Sequence, residues 1–100
     1  MYVISDNIDT QMGFRIAGIE GIVVHEYDAL KAAVDRVLKD ESIGILLLTT
    51  KLYEMDRDYF LDLKLNLRRP LIVEISDRHK SHEIQSMLDE TIAKIVGKVV

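Results

Sequence analysis

The chain contains no cysteine and no tryptophan, and it has one proline, five glycines and six aromatic residues among its 100. The lack of cysteine excludes disulfides, thiol nucleophiles and thiolate metal sites, and it fits a reducing compartment. With Pro70 alone and no Gly/Ser-rich or low-complexity stretch, no internal linker is visible. Long apolar runs are also missing. The longest, Ile43–Leu48, falls far short of the roughly 20 residues that a membrane helix needs, so no direct membrane insertion is expected. The first residues, Met1 to Asp6, lack the basic segment and apolar stretch of a secretory signal, and the expectation is a cytoplasmic protein. Excess positive charge is absent too: 13 Lys and Arg against 17 Asp and Glu leave a net charge of −4, which argues against a general nucleic-acid binder.

What is present is aliphatic. Hydrophobic residues make up 48% of the chain although aromatics supply only 6%, so a large Ile, Leu and Val content has to be buried. Four short runs carry much of it: Tyr2–Ile4, Ile22–Val24 after Gly21, Ile43–Leu48, and Leu71–Ile75 after Pro70. Continuous rather than alternating runs suit strands covered on both faces of a parallel sheet. Between them, Leu30, Ala33, Val34, Val37 and Leu38 form one helical stripe over Asp28–Asp40, with Asp28 as the expected N-cap. Leu52, Met55, Tyr59, Phe60 and Leu63 place a further helix over Leu52 to about Leu63. Leu61 and Leu65 would point away from that stripe if the helix ran further; the preferred reading ends it earlier and tucks them under a loop. A short first helix is read over Gln11–Gly18, capped by Asp9 or Thr10 and ended by Gly18.

Strands alternating with helices predict an α/β domain with right-handed crossovers: a small four-stranded parallel sheet flanked by helices, flavodoxin- or receiver-like but truncated. Residues 1–76 form the sheet unit of this single compact domain, and 77–100 hold a loop and an amphipathic C-terminal helix. That helix is read from Ser81, its N-cap, to Val96, with Gly97 ending it. Ile84, Leu88, Ile92, Ile95 and Val99 fall within roughly 80° of one another, and Met87 and Val96 widen the face to about half the circumference. Five large aliphatics, each worth about 1.5–3 kcal/mol when fully buried, give a gross term near 7–15 kcal/mol. Association costs of about 4–15 kcal/mol make this helix marginal as a lone anchor, so further contacts are expected from the domain body. Ile84 to Leu88 could equally cover the chain's own sheet; Thr91 to Val96 are assigned to a partner.

The catalytic inventory is nearly empty. Gly13, Gly18 and Gly21 have neither GxGxxG nor GxxxxGK[ST] spacing, which removes a phosphate-cradling turn. A receiver domain needs an aspartyl phospho-acceptor at the end of the third strand. Thr49 and Thr50 stand there, and a hydroxyl cannot replace that nucleophile. Asp6 is therefore read as a loop or capping residue. His79 and His82 resemble a metal pair in type, but the sequence fixes no further ligand, and solvated residues ahead of a helix are the simpler reading. His25 is read as a strand-end residue, and Arg68–Arg69 as a solvated turn. The four tyrosines show no basic–aromatic interleave for stacking nucleobases.

Three segments carry a family resemblance. Gly13-Phe14-Arg15-Ile16-Ala17-Gly18-Ile19 resembles GFRLAGI of the F subunits of V-type and A-type rotary ATPases. Ile43-Gly44-Ile45-Leu46-Leu47-Leu48-Thr49 is similar to that family's IGIILIT strand, and Pro70-Leu71-Ile72-Val73-Glu74-Ile75 to its PLIVEIP segment. Order and spacing agree over nearly the whole chain. Ser5-Asp6 replaces the usual Gly-Asp turn, Thr50 the acidic residue after the third-strand Thr, and Ser76 the Pro after the last strand.

The resemblance implies a non-catalytic part of the central rotor stalk, cytoplasmic and peripheral to the membrane. The expected partners are the coiled coil of a D-type stalk subunit, the lower stalk subunit that joins the membrane rotor and, indirectly, the catalytic ring. ATP, Mg²⁺ and the transported H⁺ or Na⁺ would bind other subunits, so no cofactor, metal or catalytic residue is expected here. Met87, Leu88, Ile92, Ile95 and Val96 are the expected partner-binding residues. The alternative is a receiver-like regulatory α/β domain lacking the phospho-acceptor Asp.

Overall fold

The computed structural model describes residues 1–75 together with 89, 90, 92 and 93. Four strands, β1 (Tyr2–Ser5), β2 (Glu20–Val23), β3 (Ile45–Thr49) and β4 (Leu71–Ile75), form one sheet in the order β2-β1-β3-β4, parallel throughout. Tyr2 sits between Glu20 and Leu46 in register, and Ile45 opposite Leu71. The chain steps from β1 to β2 in one direction, then passes back over β1 to β3 and on to β4. Right-handed crossovers consequently send the first helix to one face and the later helices to the other.

The period-2 alternation of strand side chains explains why consecutive strand residues are mostly apolar, with Glu74 of β4, which pairs with Arg57 at 3.5 Å, as an exception. Ile4, Leu46, Leu48 and Ile72 enter one core with Leu30, Ala33, Val34 and Val37 of α2 (Tyr27–Lys39), Leu52 and Tyr53 of α3 (Thr50–Met55), and Phe60 of α4 (Arg57–Asn66). Val3, Leu47 and Ile75 enter the second core with Phe14 of α1 (Ile8–Ile16) and with Ile19. Four of the six aromatics belong to or pack against the first core: the Tyr53 and Phe60 rings are 5.6 Å apart, Tyr59 meets Phe60 edge-on at 5.2 Å, and Tyr2 packs at its margin.

The helix ends differ from the sequence reading, each for a local reason. α1 begins at Ile8, not Gln11, because the Asn7 side chain accepts from the Asp9 N–H at 2.8 Å and the Thr10 N–H at 3.3 Å. Asn7 is therefore the cap, and Asp9 and Thr10 lie in the first turn. Gly18 ends α1 as expected: at φ +88° it allows Ile19 N–H to reach Phe14 C=O at 2.9 Å and Gly18 N–H to reach Arg15 C=O at 3.0 Å. Phe14 and Ile19 also share a core, which completes a Schellman motif with its apolar contact. α2 starts at Tyr27, so Asp28 lies in its first turn instead of capping it, and Glu26 at the cap position makes no side-chain capping bond.

The single helix expected from Leu52 to about Leu63 is two. Asp56 leaves helical geometry at φ −153°, ψ 67°, and its carboxylate caps α4 at Tyr59 N–H (3.4 Å) while accepting the Tyr27 hydroxyl at 2.6 Å. A short acidic side chain that can bond the backbone ahead of it competes with helix continuation, and Met55 turns to solvent at the break. α4 then runs to Asn66, beyond the expected end, so Leu61 and Leu65 are exposed instead of tucked under a loop. The Ser81 cap, the Gly97 stop, His79 and His82 lie outside the described residues.

Candidate interaction surface

In an open parallel sheet of this order, ligands are sought at the carboxyl ends of β1 and β3, where the strand order reverses. Here that edge is bonded to itself. The Thr49 hydroxyl, fully buried, donates to an Asp6 carboxylate oxygen at 2.8 Å and accepts the Asp6 N–H at 3.3 Å. Ser5 Oγ donates to Asn7 C=O at 2.8 Å and accepts Asn7 N–H at 2.9 Å. Thr50 Oγ1 donates to Ile75 C=O at 3.1 Å. The residue at a receiver's phospho-acceptor position thus holds Asp6 and ties the β1 loop to the end of β3. Asp6, read from sequence as a loop or capping residue, is a loop residue with this one added duty. His25 is exposed just past β2. No group of three His, Cys, Asp or Glu that could hold a metal occurs among the described residues.

A shallow depression at the opposite edge is lined by Tyr2, Gln11, Arg15, Glu20 and Gly21. Burial pushes the Tyr2 hydroxyl above its usual range; Arg36 pulls it down and Glu20 pushes it up. Arg15 and Glu20 give that depression both signs of charge. Gln11 is spent on structure, its amide reaching the Gly21 carbonyl of edge strand β2 at 3.4 Å.

The more informative surfaces are apolar and exposed. Ile8, Met12 and Ile16 of α1 are 62, 52 and 75% exposed, and spacings of four place them in one stripe. The sheet-facing side of α1 holds Thr10, Gln11, Gly13 and Phe14 instead. On α4, Leu61 and Leu65 are 45 and 74% exposed, and Leu67 follows them at the helix end, also exposed. Leu61, Leu63, Leu65 and Leu67 alternate in sequence, which a strand would sort onto one face. A helix cannot do so: Leu63 packs against the core while Leu61 and Leu65 turn outward. Burying the exposed fractions of the three α1 side chains would stabilise a complex by about 3–6 kcal/mol, since a whole side chain is worth about 1.5–3 kcal/mol.

Of the expected partner-binding residues, Ile92 is described: it is helical and 45% exposed, and Asp89, Glu90 and Ala93 beside it are helical and exposed too. Met87, Leu88, Ile95 and Val96 lie outside the described residues. The α1 stripe was missed from sequence because the helix was started three residues late; the spacing of Ile8, Met12 and Ile16 was the signal that could have found it. No helix among the described residues is long and apolar enough to cross a membrane.

Comparison with known proteins agrees with the resemblance carried by the three motifs. Residues 1–94 match the family of the ATP synthase (F/14-kDa) subunit. The chain is 31% identical over 91 residues to the F subunit of the A-type ATP synthase of Methanocaldococcus jannaschii, a match spanning 89% of this chain and 87% of that protein. It is 29% identical to the corresponding F subunit of Thermococcus kodakarensis, over 89% of this chain and 86% of that one. For the F subunit of Pyrococcus abyssi the identity is 28%, over 95 and 92%. By the extent of that match, the chain belongs to the family of the ATP synthase (F/14-kDa) subunit.

Proposed function

We propose that this chain is a non-catalytic central-stalk component of a V/A-type rotary ATPase, coupling ATP hydrolysis or synthesis to ion translocation by binding the coiled coil of a D-type stalk subunit. Residues 77–100 are the partner-binding segment, and Met87, Leu88, Ile92, Ile95 and Val96 form its apolar face. The lower stalk subunit lies beneath the pair, the catalytic ring is reached indirectly, and the assembly sits at the cytoplasmic side of the membrane. The observation that carries the reading is Ile92: a large aliphatic on a helical segment, left 45% exposed in a chain of this family. An aliphatic of that size in water is worth burying, and a coiled-coil partner offers a continuous apolar seam.

The body of the domain supports the same role. Its polar bonds tie the β1 loop to the end of β3, and its exposed α1 stripe offers contacts beyond those of one C-terminal helix. The test is the Leu88→Asp/Ile92→Asp double variant, co-expressed with a D-type coiled-coil partner. The α/β fold is expected to survive by circular dichroism while co-purification is lost. Normal co-purification of a folded double variant would refute the assignment of this face.

A further inference from the structure

The end of α4 carries charge as well as apolar surface. Residues 64–69 hold Lys64, Arg68 and Arg69 and no acid, in a chain whose net charge is −4. Lys64 and Arg68 have no acidic partner among the described residues; Arg57 is the cation that pairs, with Glu54 and Glu74. The nearest acid on the helix, Asp62, is engaged by the Asn66 amide, which donates to its carboxylate at 2.7 Å and to its backbone carbonyl at 2.9 Å. Arg69 is turned the other way and donates to the Glu41 carbonyl. Two cations with no acidic partner among the described residues therefore flank an exposed Leu61–Leu65 ridge.

We propose that this end of α4 is a second docking surface, which takes an acidic amphipathic helix of a partner protein. Leu61 and Leu65 form an i, i+4 ridge of the kind that packs into the groove of a facing helix. Lys64 and Arg68 would meet carboxylates along the rim, where complementary charge sets orientation and association rate. An anionic bilayer shares part of this chemistry. One helical turn of leucine with two cations is small for stable membrane attachment, and the ridge geometry favours a helix. The surface is separate from residues 77–100 and does not depend on their assignment to a coiled coil.

The experiment places a photoreactive benzoylphenylalanine at Leu65, and in a second protein at Ile92, within the purified assembled complex. Irradiation followed by peptide mapping identifies each neighbour. Leu65 is exposed enough to accept the replacement without loss of fold, and circular dichroism checks this. The expected adduct from position 65 lies on an acidic amphipathic helix of another protein of the complex. Lys64→Glu/Arg68→Glu should cut its yield about tenfold at low salt, whereas Lys64→Arg/Arg68→Lys keeps it. Adducts to lipid, to a second copy of this chain, or to a segment without acids would overturn the proposal, as would no adduct at all. A missing adduct from Ile92 counts against the coiled-coil assignment instead, so the two failures are distinguishable.

Discussion

Replacing glycine with alanine at three positions should give three different results, and the largest is at Gly21. A Cβ there would lie 2.2 Å from Val3 Cγ1 and 2.3 Å from the Val3 carbonyl oxygen. The valine methyl could rotate away, but the carbonyl belongs to β1, which lies between β2 and β3 in the middle of the sheet. Relief requires β2 to separate from β1 around the Val3–Gly21 pair, at the upper end of overpacking costs, about 3 kcal/mol. For a domain of this size that corresponds to a fall in Tm of roughly 12 °C or more. At Gly18 an added Cβ meets nothing within 4 Å, but φ is +88°, so the cost is the left-handed penalty of about 1–2 kcal/mol. At Gly44 there is open space and no such strain, and alanine should be neutral or stabilise by up to about 1 kcal/mol through the unfolded state. The assay is urea unfolding followed by far-UV circular dichroism, since the chain has no tryptophan. Hydrogen exchange on β2 would show whether the lost stability is local. A Gly21→Ala protein within about 1 kcal/mol of wild type, or an order other than Gly21, Gly18, Gly44, would refute the close-approach argument.

Thr49→Val removes the hydroxyl that bonds Asp6 and should cost about 2 kcal/mol, because hydrogen bonds to charged groups are worth about 1.5–3 kcal/mol; a loss below about 0.5 kcal/mol on the same unfolding scale, the range of ordinary surface changes, would contradict the role given to this pair. Asp56→Ala should cost about 1 kcal/mol through the lost α4 cap. The hydrogen bond to Asp56 also holds the Tyr27 hydroxyl above its usual range, with burial and the Asp56 charge adding to the effect. A raised tyrosine favours the fold below the ordinary value of 10.0 and loses that contribution as pH rises through the shifted one, so Asp56→Ala should flatten this alkaline part of the stability profile. Asp40 behaves oppositely: the Ser42 hydroxyl and N–H hold its carboxyl below the usual range, so its contribution is present above pH 3.8 and fades as pH falls through the lowered value. Ser42→Ala removes the hydroxyl but keeps the N–H donor, so it should weaken that acid-side dependence without abolishing it, in unfolding curves collected from about pH 2 to about pH 5.

Much of the domain was legible because its signals are local and redundant. Leu30, Ala33, Val34 and Val37 mark one face of α2 by spacing alone, and all four are buried. The runs at Leu46–Leu48 and Leu71–Val73 mark strands covered on both sides, since consecutive aliphatic residues serve two cores at once. What sequence reasoning missed depends on competition between nearby groups. Asn7 outcompetes Asp9 and Thr10 as a cap because of where its oxygen lies, and Asp56 breaks a stripe that looks continuous because its carboxylate is shared by Tyr59 N–H and Tyr27.

By itself the aliphatic-rich, cysteine-free sequence determined a parallel α/β domain, the pairing of each run with a strand, and the family motifs at Gly13–Ile19, Ile43–Thr49 and Pro70–Ile75. The tertiary structure alone decided which apolar residues stay in water. Ile8, Met12, Ile16, Leu61 and Leu65 are as hydrophobic as any in the core, and nothing in their identity says that they face outward. Their exposure follows from which side of each helix the sheet occupies, and that is set by long-range packing: Phe14 against Val3 and Leu47, Phe60 against Tyr53. Hydrophobicity depends on composition, but a binding surface depends on which apolar groups the fold leaves over.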